Sequence, residues 1–283
     1  MTTSKERLDS RQEPQDAPAG GLPEPDTPFF GRERELERLL AAIRDRRSLL
    51  IFGVPDSGKS ALVERALAAL PWTMKNACLR VSAEESPQNL LRQLVMRLFA
   101  AKDAVVCAAI PAQASHPERL ERWVKKQTSG RLRGLVFRAF DRGCYWTFWD
   151  DAGRLGLAHS RFLREVVRMR NTPAYLLARG VEEIDIGRAG RIFWSEDQRL
   201  ELGPLANEEA QALFDAVIER EGLQGLELDE FREQVLEAGR KLPGAIVRMA
   251  AMAAQPQYRY GNTVKAKLIS MEYLVQLAER VIV

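Results

Sequence analysis

Cysteine and histidine are scarce in this 283-residue sequence, which holds three cysteines and two histidines. Cys78, Cys107 and Cys144 are far apart and form no C-x-x-C pair, and only His116 and His159 could complete a metal site. These numbers and spacings exclude the usual zinc-binding motifs and a disulfide framework, so we expect reduced thiols.

Long apolar runs are also missing. No stretch approaches the roughly 18 consecutive apolar residues that a membrane-spanning helix needs, and the N-terminus has no apolar signal core. We therefore expect a cytoplasmic protein with no membrane partner. Hydrophobic residues make up 46% of the chain, which is enough for a full core, and the length suits one or two domains.

The formal net charge of +3 is small but unevenly spread along the chain. Residues 117–170 hold thirteen Lys/Arg and six Asp/Glu, whereas residues 196–239 hold three and thirteen. The basic segment predicts either a surface that contacts DNA or a partner, or an ordinary solvated helix face. Residues 1–27 carry almost no large apolar side chains, so we expect them to form a disordered tail.

A glycine-rich loop stands between a predicted strand and a predicted helix. Residues 53–60 read GVPDSGKS, which fits G-x-x-x-x-G-K-[ST], and the apolar run 49–52 before them is typical of a buried strand. Such a phosphate-binding loop, or P-loop, wraps polyphosphate with backbone N–H groups and the positive end of a helix. We expect Lys59 to reach the β- and γ-phosphates and Ser60 to ligate Mg²⁺. The predicted nucleotide-binding residues here are Gly53, Val54, Pro55, Asp56, Ser57, Gly58, Lys59, Ser60 and Ala61.

The segment before the P-loop carries a family resemblance. Residues 29–40 read FFGRERELERLL, with apolar residues at helical spacing. Together with the P-loop, this box resembles the N-terminal box of AAA+ and STAND ATPases that are similar to the origin-recognition class. In that family the segment lies over the adenine, so the resemblance implies that Phe30, Gly31 and Arg32 are base-side residues. The alternative is a charged amphipathic helix with no such role.

An aromatic run that ends in two acidic residues has the form of a Walker B strand. Residues 145–151 read YWTFWDD. At the carboxyl end of such a strand, Asp150 would hold Mg²⁺ through water, and Asp151 would orient the attacking water. Many AAA+ proteins have Glu at the second position, whereas an Asp pair is common in the STAND group, so we expect slow hydrolysis. An ordinary strand followed by an acidic turn is the alternative.

Residues 172–179 look like the sensor strand of the family. The resemblance implies that Arg179 faces the γ-phosphate, where a charge-assisted hydrogen bond would distinguish ATP from ADP. A surface arginine after a core strand fits equally well. In the next loop, Arg188 and Arg191 are both candidates for an arginine finger offered to a neighbouring subunit.

Residues 239–245, GRKLPGA, resemble the Gly-x-Pro or GLPL box of STAND proteins. The resemblance implies that Pro243 contacts the nucleotide from a helical lid. Arg240, Lys241 and Arg248 are candidates for a second sensor. The spacing departs from the short Gly-x-Pro form, and a plain loop between two helices is the alternative.

The predicted fold is an α/β P-loop NTPase core of the AAA+ type with a small C-terminal helical lid. Alternating strands and helices after the P-loop predict a parallel sheet covered on both faces. The resemblance adds that the Walker B strand lies between the P-loop strand and the second strand. We divide the chain into the tail 1–27, the ATPase core 28–205, the lid 206–254 and a C-terminal extension 255–283.

Three functions fit these motifs. The first is a nucleotide-dependent switch that binds ATP or ADP with Mg²⁺, hydrolyses ATP slowly, and couples lid movement to self-association or to a protein partner. The second is an AAA+ regulator of the transposition type that assembles on DNA in the ATP state through residues 117–170. The third is a P-loop kinase of a small acceptor, against which the acidic pair and the two family boxes argue.

Overall fold

The computed structural model describes residues 28–82, 86–150, 155–169, 171–182 and 186–282. The predicted tail and Asp151 lie outside these ranges. The helices are α1 (Glu33–Arg44), α2 (Lys59–Ala69), α3 (Trp72–Asn76), α4 (Pro87–Ala100), α5 (Ala104–Ala109), α6 (Pro117–Lys125), α7 (Ser129–Arg142), α8 (Leu157–Arg168), α9 (Asn207–Arg220), α10 (Asp229–Ala238), α11 (Pro243–Ala253) and α12 (Ala266–Ile282). The strands are β1 (Leu49–Phe52), β2 (Cys78–Ser82), β3 (Trp146–Asp150), β4 (Ala174–Ala178), β5 (Arg199–Glu201), β6 (Arg259–Tyr260) and β7 (Thr263–Val264).

Five strands form a parallel sheet in the order β2-β3-β4-β1-β5. The predicted fold class is confirmed. The Walker B strand β3 lies between the P-loop strand β1 and the second strand β2, and the sensor strand β4 separates it from β1. Because all five strands are parallel, their carboxyl ends meet at one edge of the sheet, where α/β proteins bind ligands.

Alternate residues of the strands enter two separate cores. Leu50, Leu176 and Trp149 pack with α4 to α8 on one face. Ile51 and Tyr175 pack with α1 and α2 on the other face. This alternation follows from the two-residue period of a strand, and it explains why these strands are apolar throughout rather than half polar.

Between β2 and β3 the chain inserts a group of four helices, α4 to α7. Ser86 caps α4, where its Oγ accepts a hydrogen bond from the Asn89 N–H at 3.2 Å. The alanine-rich stretch 102–115 forms α5 and a 3₁₀ turn at 112–114. Helices α6 and α7 carry most of the basic segment. Within the described ranges, no helix is both long and apolar enough to cross a membrane.

A third core belongs to the C-terminal part of the chain. It joins the lid helices α9, α10 and α11. The segment after residue 254 shares this core, because Tyr258, Val264, Ile269 and Tyr273 pack into it from the β6–β7 hairpin and α12. The lid and the C-terminal segment are therefore one packed layer, although the sequence suggested a boundary between them.

The lid contacts the P-loop through the first turn of α11. The Gly244 N–H donates to the Asp56 carbonyl oxygen at 2.8 Å. A Cβ on Gly244 would lie 2.9 Å from the Asp56 Cα and 3.0 Å from the Asp56 oxygen, which is closer than van der Waals contact permits. A glycine is thus required here for close approach of two backbones, even though it lies in a helix.

We expect Gly244→Ala to destabilise the protein. Helix propensity alone predicts a gain of about 0.5–1 kcal/mol for this change. The steric conflict with Asp56 predicts instead a loss of about 1–3 kcal/mol in the free energy of unfolding, because the lid must move away from the P-loop. Urea titration followed by circular dichroism measures the difference.

Gly225→Ala is the matched control, since a Cβ on Gly225, in the loop after α9, meets nothing within 4 Å. Its free energy of unfolding should stay within about 0.5 kcal/mol of the unsubstituted protein. A Gly244→Ala variant as stable as this control would contradict the close contact between lid and loop.

Candidate nucleotide-binding site

The P-loop turns between β1 and α2 in a conformation that requires glycine at two positions. Gly58 has φ +91°, in the left-handed region. A Cβ on Gly53 would lie 2.5 Å from the Leu202 carbonyl oxygen and 2.7 Å from the Ser57 Oγ. Helix α2 begins directly after this turn, at Lys59. The loop backbone and the positive end of α2 therefore fit a phosphate group.

The Lys59 ammonium group lies over the P-loop backbone. It donates to the Gly53 carbonyl oxygen at 2.6 Å and to the Val54 carbonyl oxygen at 3.0 Å, and lies 3.4 Å from the Ser57 Oγ. Two carbonyl oxygens of the P-loop thus hold the Lys59 ammonium group, the only positive side chain between residues 53 and 60, against the loop backbone. A phosphate oxygen that enters the loop would exchange with these acceptors.

The two predicted magnesium residues, Ser60 and Asp150, lie at or beside the same edge of the sheet. Ser60 is exposed in the first turn of α2. Asp150 is the last residue of β3 and pairs with Ser82 of β2. Asp151 follows Asp150 and lies outside the described residues. Strand direction places Asp150 near the P-loop, and the magnesium role of both Ser60 and Asp150 stays a prediction.

The predicted sensor strand adjoins the P-loop strand. Phe52 pairs with Ala178, and the Gly53 N–H donates to the Ala178 carbonyl oxygen at 3.3 Å. Arg179 is the next residue and is exposed. Arg179 therefore follows the residue that bonds the start of the P-loop, and its role as a γ-phosphate sensor stays a prediction. Arg188 and Arg191 are exposed in a 3₁₀ segment farther along the same loop.

A mainly apolar cavity of about 140 Å³ lies between the N-terminal box, the P-loop helix and the lid. Five predicted residues line it: Phe30, Arg32, Gly58, Ala61 and Pro243. Five others complete the lining: Pro28, Phe29, Leu213, Gly244 and Val247. A cavity of this character, directly beside a phosphate-binding turn, suits a flat apolar ring such as a base.

Adjacent residues of the N-terminal box belong to different cores. Phe29 packs against the core of α1, α2 and the sheet, whereas Phe30 packs against the lid core. Gly31 follows with φ +65°, and a Cβ there would overlap the Glu209 carboxylate. Glu209 in turn accepts from the Ala206 N–H at 2.9 Å, so its side chain caps the start of α9.

Arg32 is a buried connector, with 5% of its surface exposed. Its guanidinium donates to Glu35 at 2.8 Å, to the Ser57 carbonyl oxygen at 3.4 Å, and to the Gly203 carbonyl oxygen. It therefore ties the N-terminal box to the P-loop and to the link between core and lid. The base-side role predicted for Arg32 is compatible with its place in the cavity lining, but its guanidinium is engaged with backbone.

The predicted lid box lies against the P-loop. Pro243 is the first residue of α11, and a Cβ on Gly58 would lie 3.5 Å from the Pro243 Cγ. Arg240 and Lys241 form the turn before α11, both with positive φ. Of the three second-sensor candidates, Arg248 reaches the P-loop, where its Nη2 lies 2.9 Å from the Asp56 Oδ1.

Sequence reasoning missed the apolar lid residues of the cavity and one tyrosine. Leu213 of α9 and Val247 of α11 line the cavity from the lid side. Tyr273 of α12 donates to the Asp56 Oδ2 at 3.1 Å. Helical periodicity signals that such residues are buried, but it does not distinguish burial in a core from burial against a ligand site.

Comparison with known proteins gives a family and a fold. The family model described as the AAA ATPase domain matches residues 28–242. A search of curated proteins finds no match.

Solved structures share the architecture at low sequence identity. The Walker-type ATPase of Pyrococcus abyssi superposes with a TM-score of 0.59 at 15% identity, over 90% of this chain and 73% of that one. The Orc1 protein of Aeropyrum pernix, solved in complex with DNA, has a TM-score of 0.57 at 14% identity, over 89% and 68%. Cdc6p of Pyrobaculum aerophilum has a TM-score of 0.53 at 13% identity, over 84% and 64%. The family match over residues 28–242, a P-loop between β1 and α2, and the parallel sheet together show that this chain belongs to the AAA ATPase family.

Proposed function

We propose that this protein is a nucleotide-dependent switch, which binds Mg-ATP between its core and its lid and hydrolyses it slowly. The observation that carries the proposal is that residues of the core and residues of the lid line the same cavity. Gly58 and Ala61 of the core face Pro243 and Val247 of the lid across one cavity. A ligand held on both sides links its own chemical state to the angle of the lid, because each state makes different contacts with the two halves.

Each predicted residue has a physical role in this proposal. Lys59 exchanges its carbonyl acceptors for phosphate oxygens and positions the phosphate chain. Ser60 and Asp150 would hold Mg²⁺, which supplies charge neutralisation when bound. Asp151 accepts a proton from the attacking water and orients it. Its side chain is one methylene shorter than the Glu of many AAA+ proteins, which is the reason that we propose slow turnover.

We expect Arg179→Ala to weaken binding of a slowly hydrolysed Mg-ATP analogue by about tenfold and to leave Mg-ADP binding unchanged. One charge-assisted hydrogen bond to the last phosphate accounts for a change of this size. Lys59→Ala should weaken the binding of both nucleotides by about 10- to 100-fold, because Lys59 is expected to contact the β-phosphate, which both contain. Isothermal titration calorimetry measures the four dissociation constants.

Arg97→Ala is the control, since Arg97 is exposed on α4. Its dissociation constants should match those of the unsubstituted protein. Equal losses of ATP analogue and ADP in Arg179→Ala would refute a γ-phosphate sensor, and an unsubstituted protein that binds neither nucleotide would refute the switch itself.

We further propose that the ATP state promotes self-association. The solution mass from light scattering should rise with the Mg-ATP analogue relative to Mg-ADP, and Asp151→Ala should keep the larger mass in Mg-ATP by slowing hydrolysis. Arg188→Ala and Arg191→Ala, tested singly, should identify the arginine offered to a neighbour. A monomer in both nucleotide states would eliminate self-association and leave a protein partner as the switch's target.

DNA binding is a second candidate function, favoured by the exposed basic surface of α6 and α7. We define this basic surface by eight exposed side chains: Arg119, Arg122, Lys125, Lys126, Arg131, Arg133, Arg138 and Arg142. Ion pairs engage Lys125 with Glu121 and Arg133 with Glu165. The Arg131 guanidinium lies 5.6 Å from the ring of Trp123, an arrangement that keeps a long side chain extended at the surface. Among the solved structures of similar fold, Aeropyrum pernix Orc1 and Drosophila ORC are DNA complexes.

We expect duplex DNA binding by the ATP state to weaken steeply with salt. Each arginine that neutralises a phosphate adds about 0.9 to the slope of log affinity against log salt. The double variant Arg131→Ala with Arg138→Ala should therefore lower that slope by about 1.8, as measured by fluorescence anisotropy. Lys267→Ala, at an exposed site on α12, should leave the slope unchanged. A salt-independent signal would contradict binding through this surface.

A further inference from the structure

The side chain of Asp56 turns away from the phosphate site and into the lid. Asp56 is a variable position of the P-loop motif, yet only 9% of its side chain is exposed. Its φ is +64°, in the left-handed region that a non-glycine residue adopts at a cost. A buried carboxylate at a strained position needs partners that stabilise both its charge and its backbone.

Three groups from helices α11 and α12 form hydrogen bonds with Asp56. From α11, the Gly244 N–H donates to its backbone oxygen at 2.8 Å, and the Arg248 Nη2 lies 2.9 Å from the Oδ1. From α12, the Tyr273 hydroxyl donates to the Oδ2 at 3.1 Å. Both carboxylate oxygens therefore have a donor, and each donor comes from a different helix.

Tyr273 is fixed in this position by packing and by charge. It is 1% exposed, within the lid core. Burial, followed by the negative charge of Asp56, raises the pKa of Tyr273, so the phenol stays protonated and remains a donor at neutral pH. The C-terminal helix thus presents a permanent hydrogen-bond donor to the middle of the P-loop.

We propose that Asp56, Arg248 and Tyr273 form a latch in which Tyr273 is a positioning residue for the P-loop, and that this latch couples nucleotide binding to the C-terminal helix α12. The latch stabilises the left-handed backbone conformation of Asp56, two residues before Gly58. Any rearrangement of the loop around a phosphate alters the position of the Asp56 carboxylate. Because both of its oxygens are bound, that change is transmitted to α11 and to α12 together.

The coupling to nucleotide rests on the proposed function, whereas the latch itself does not. A test in two arms separates them. The first arm uses nucleotide-free protein and measures hydrogen–deuterium exchange of α12 amides. Asp56→Asn removes the carboxylate charge but retains a residue that tolerates left-handed backbone. This substitution in the P-loop should raise the amide exchange rates of residues 266–279, in α12, by about threefold to thirtyfold.

The second arm measures the affinity for Mg-ADP. Tyr273→Phe should weaken binding by about threefold to tenfold, because the loop then samples conformations that do not accept phosphate. The double variant Asp56→Asn with Tyr273→Phe should be within about twofold of Asp56→Asn alone, since Asn offers one acceptor oxygen in place of two and both changes weaken the same contact between the P-loop and α12. Mg-ADP should alter α12 exchange in the unsubstituted protein and not in Tyr273→Phe.

Tyr258→Phe is the matched control for both arms. The Tyr258 hydroxyl donates to the Glu272 Oε2 at 2.7 Å, and Glu272 precedes Tyr273 in α12. The Tyr258→Phe change therefore removes one tyrosine hydrogen bond at α12, as Tyr273→Phe does, but not a bond to Asp56. This variant should retain nucleotide affinity and the Mg-ADP response of α12. A Tyr273→Phe protein that matches it in both measurements would overturn the latch. Absence of Mg-ADP binding by the unsubstituted protein, with the first arm positive, would overturn the proposed function and leave the latch in place.

Discussion

The contact between the P-loop and the first turn of α11 is the constraint on which the rest of this structure depends. A backbone hydrogen bond from Gly244 to Asp56 sets the distance between core and lid, and Pro243 lies over Gly58. With that distance fixed, the apolar cavity closes between two separately packed layers. Because the backbones of Gly244 and Asp56 are already in contact, the lid cannot pack any closer to the P-loop than it does here.

The arrangement of the core was largely predictable from the sequence, because its signals are local. The apolar run of β1, the glycines at 53 and 58 and the aromatic run of β3 each specify a strand or a turn within a few residues. Parallel strands then bring their carboxyl ends together without further information, so Arg179 and Asp150 are placed by topology alone. The place of β3 between β1 and β2 came from family resemblance and not from any residue.

The parts that could not be predicted depend on contacts distant in sequence. Asp56 and Tyr273 are 217 residues apart, and nothing in either local pattern indicates the other. Leu213 shows the same limit, because its helical spacing predicts a buried face, and only the packed structure distinguishes the cavity side from the core side. The shared core on both sides of residue 254 has a related cause, since the helical spacing of α12 shows a buried face but not which residues cover it.

The two phenylalanines at the entrance of the domain have a consequence for motion. Phe29 is held with α2, where the Arg65 guanidinium lies 6.0 Å from its ring, while Phe30 is held in the lid. A rotation of the lid relative to the sheet must therefore be absorbed by the backbone around these two residues and Gly31. Collective rotations of one domain against another take microseconds to milliseconds. We expect residues 29–31, and not only the link after β5, to act as a hinge and to limit the rate of any lid opening.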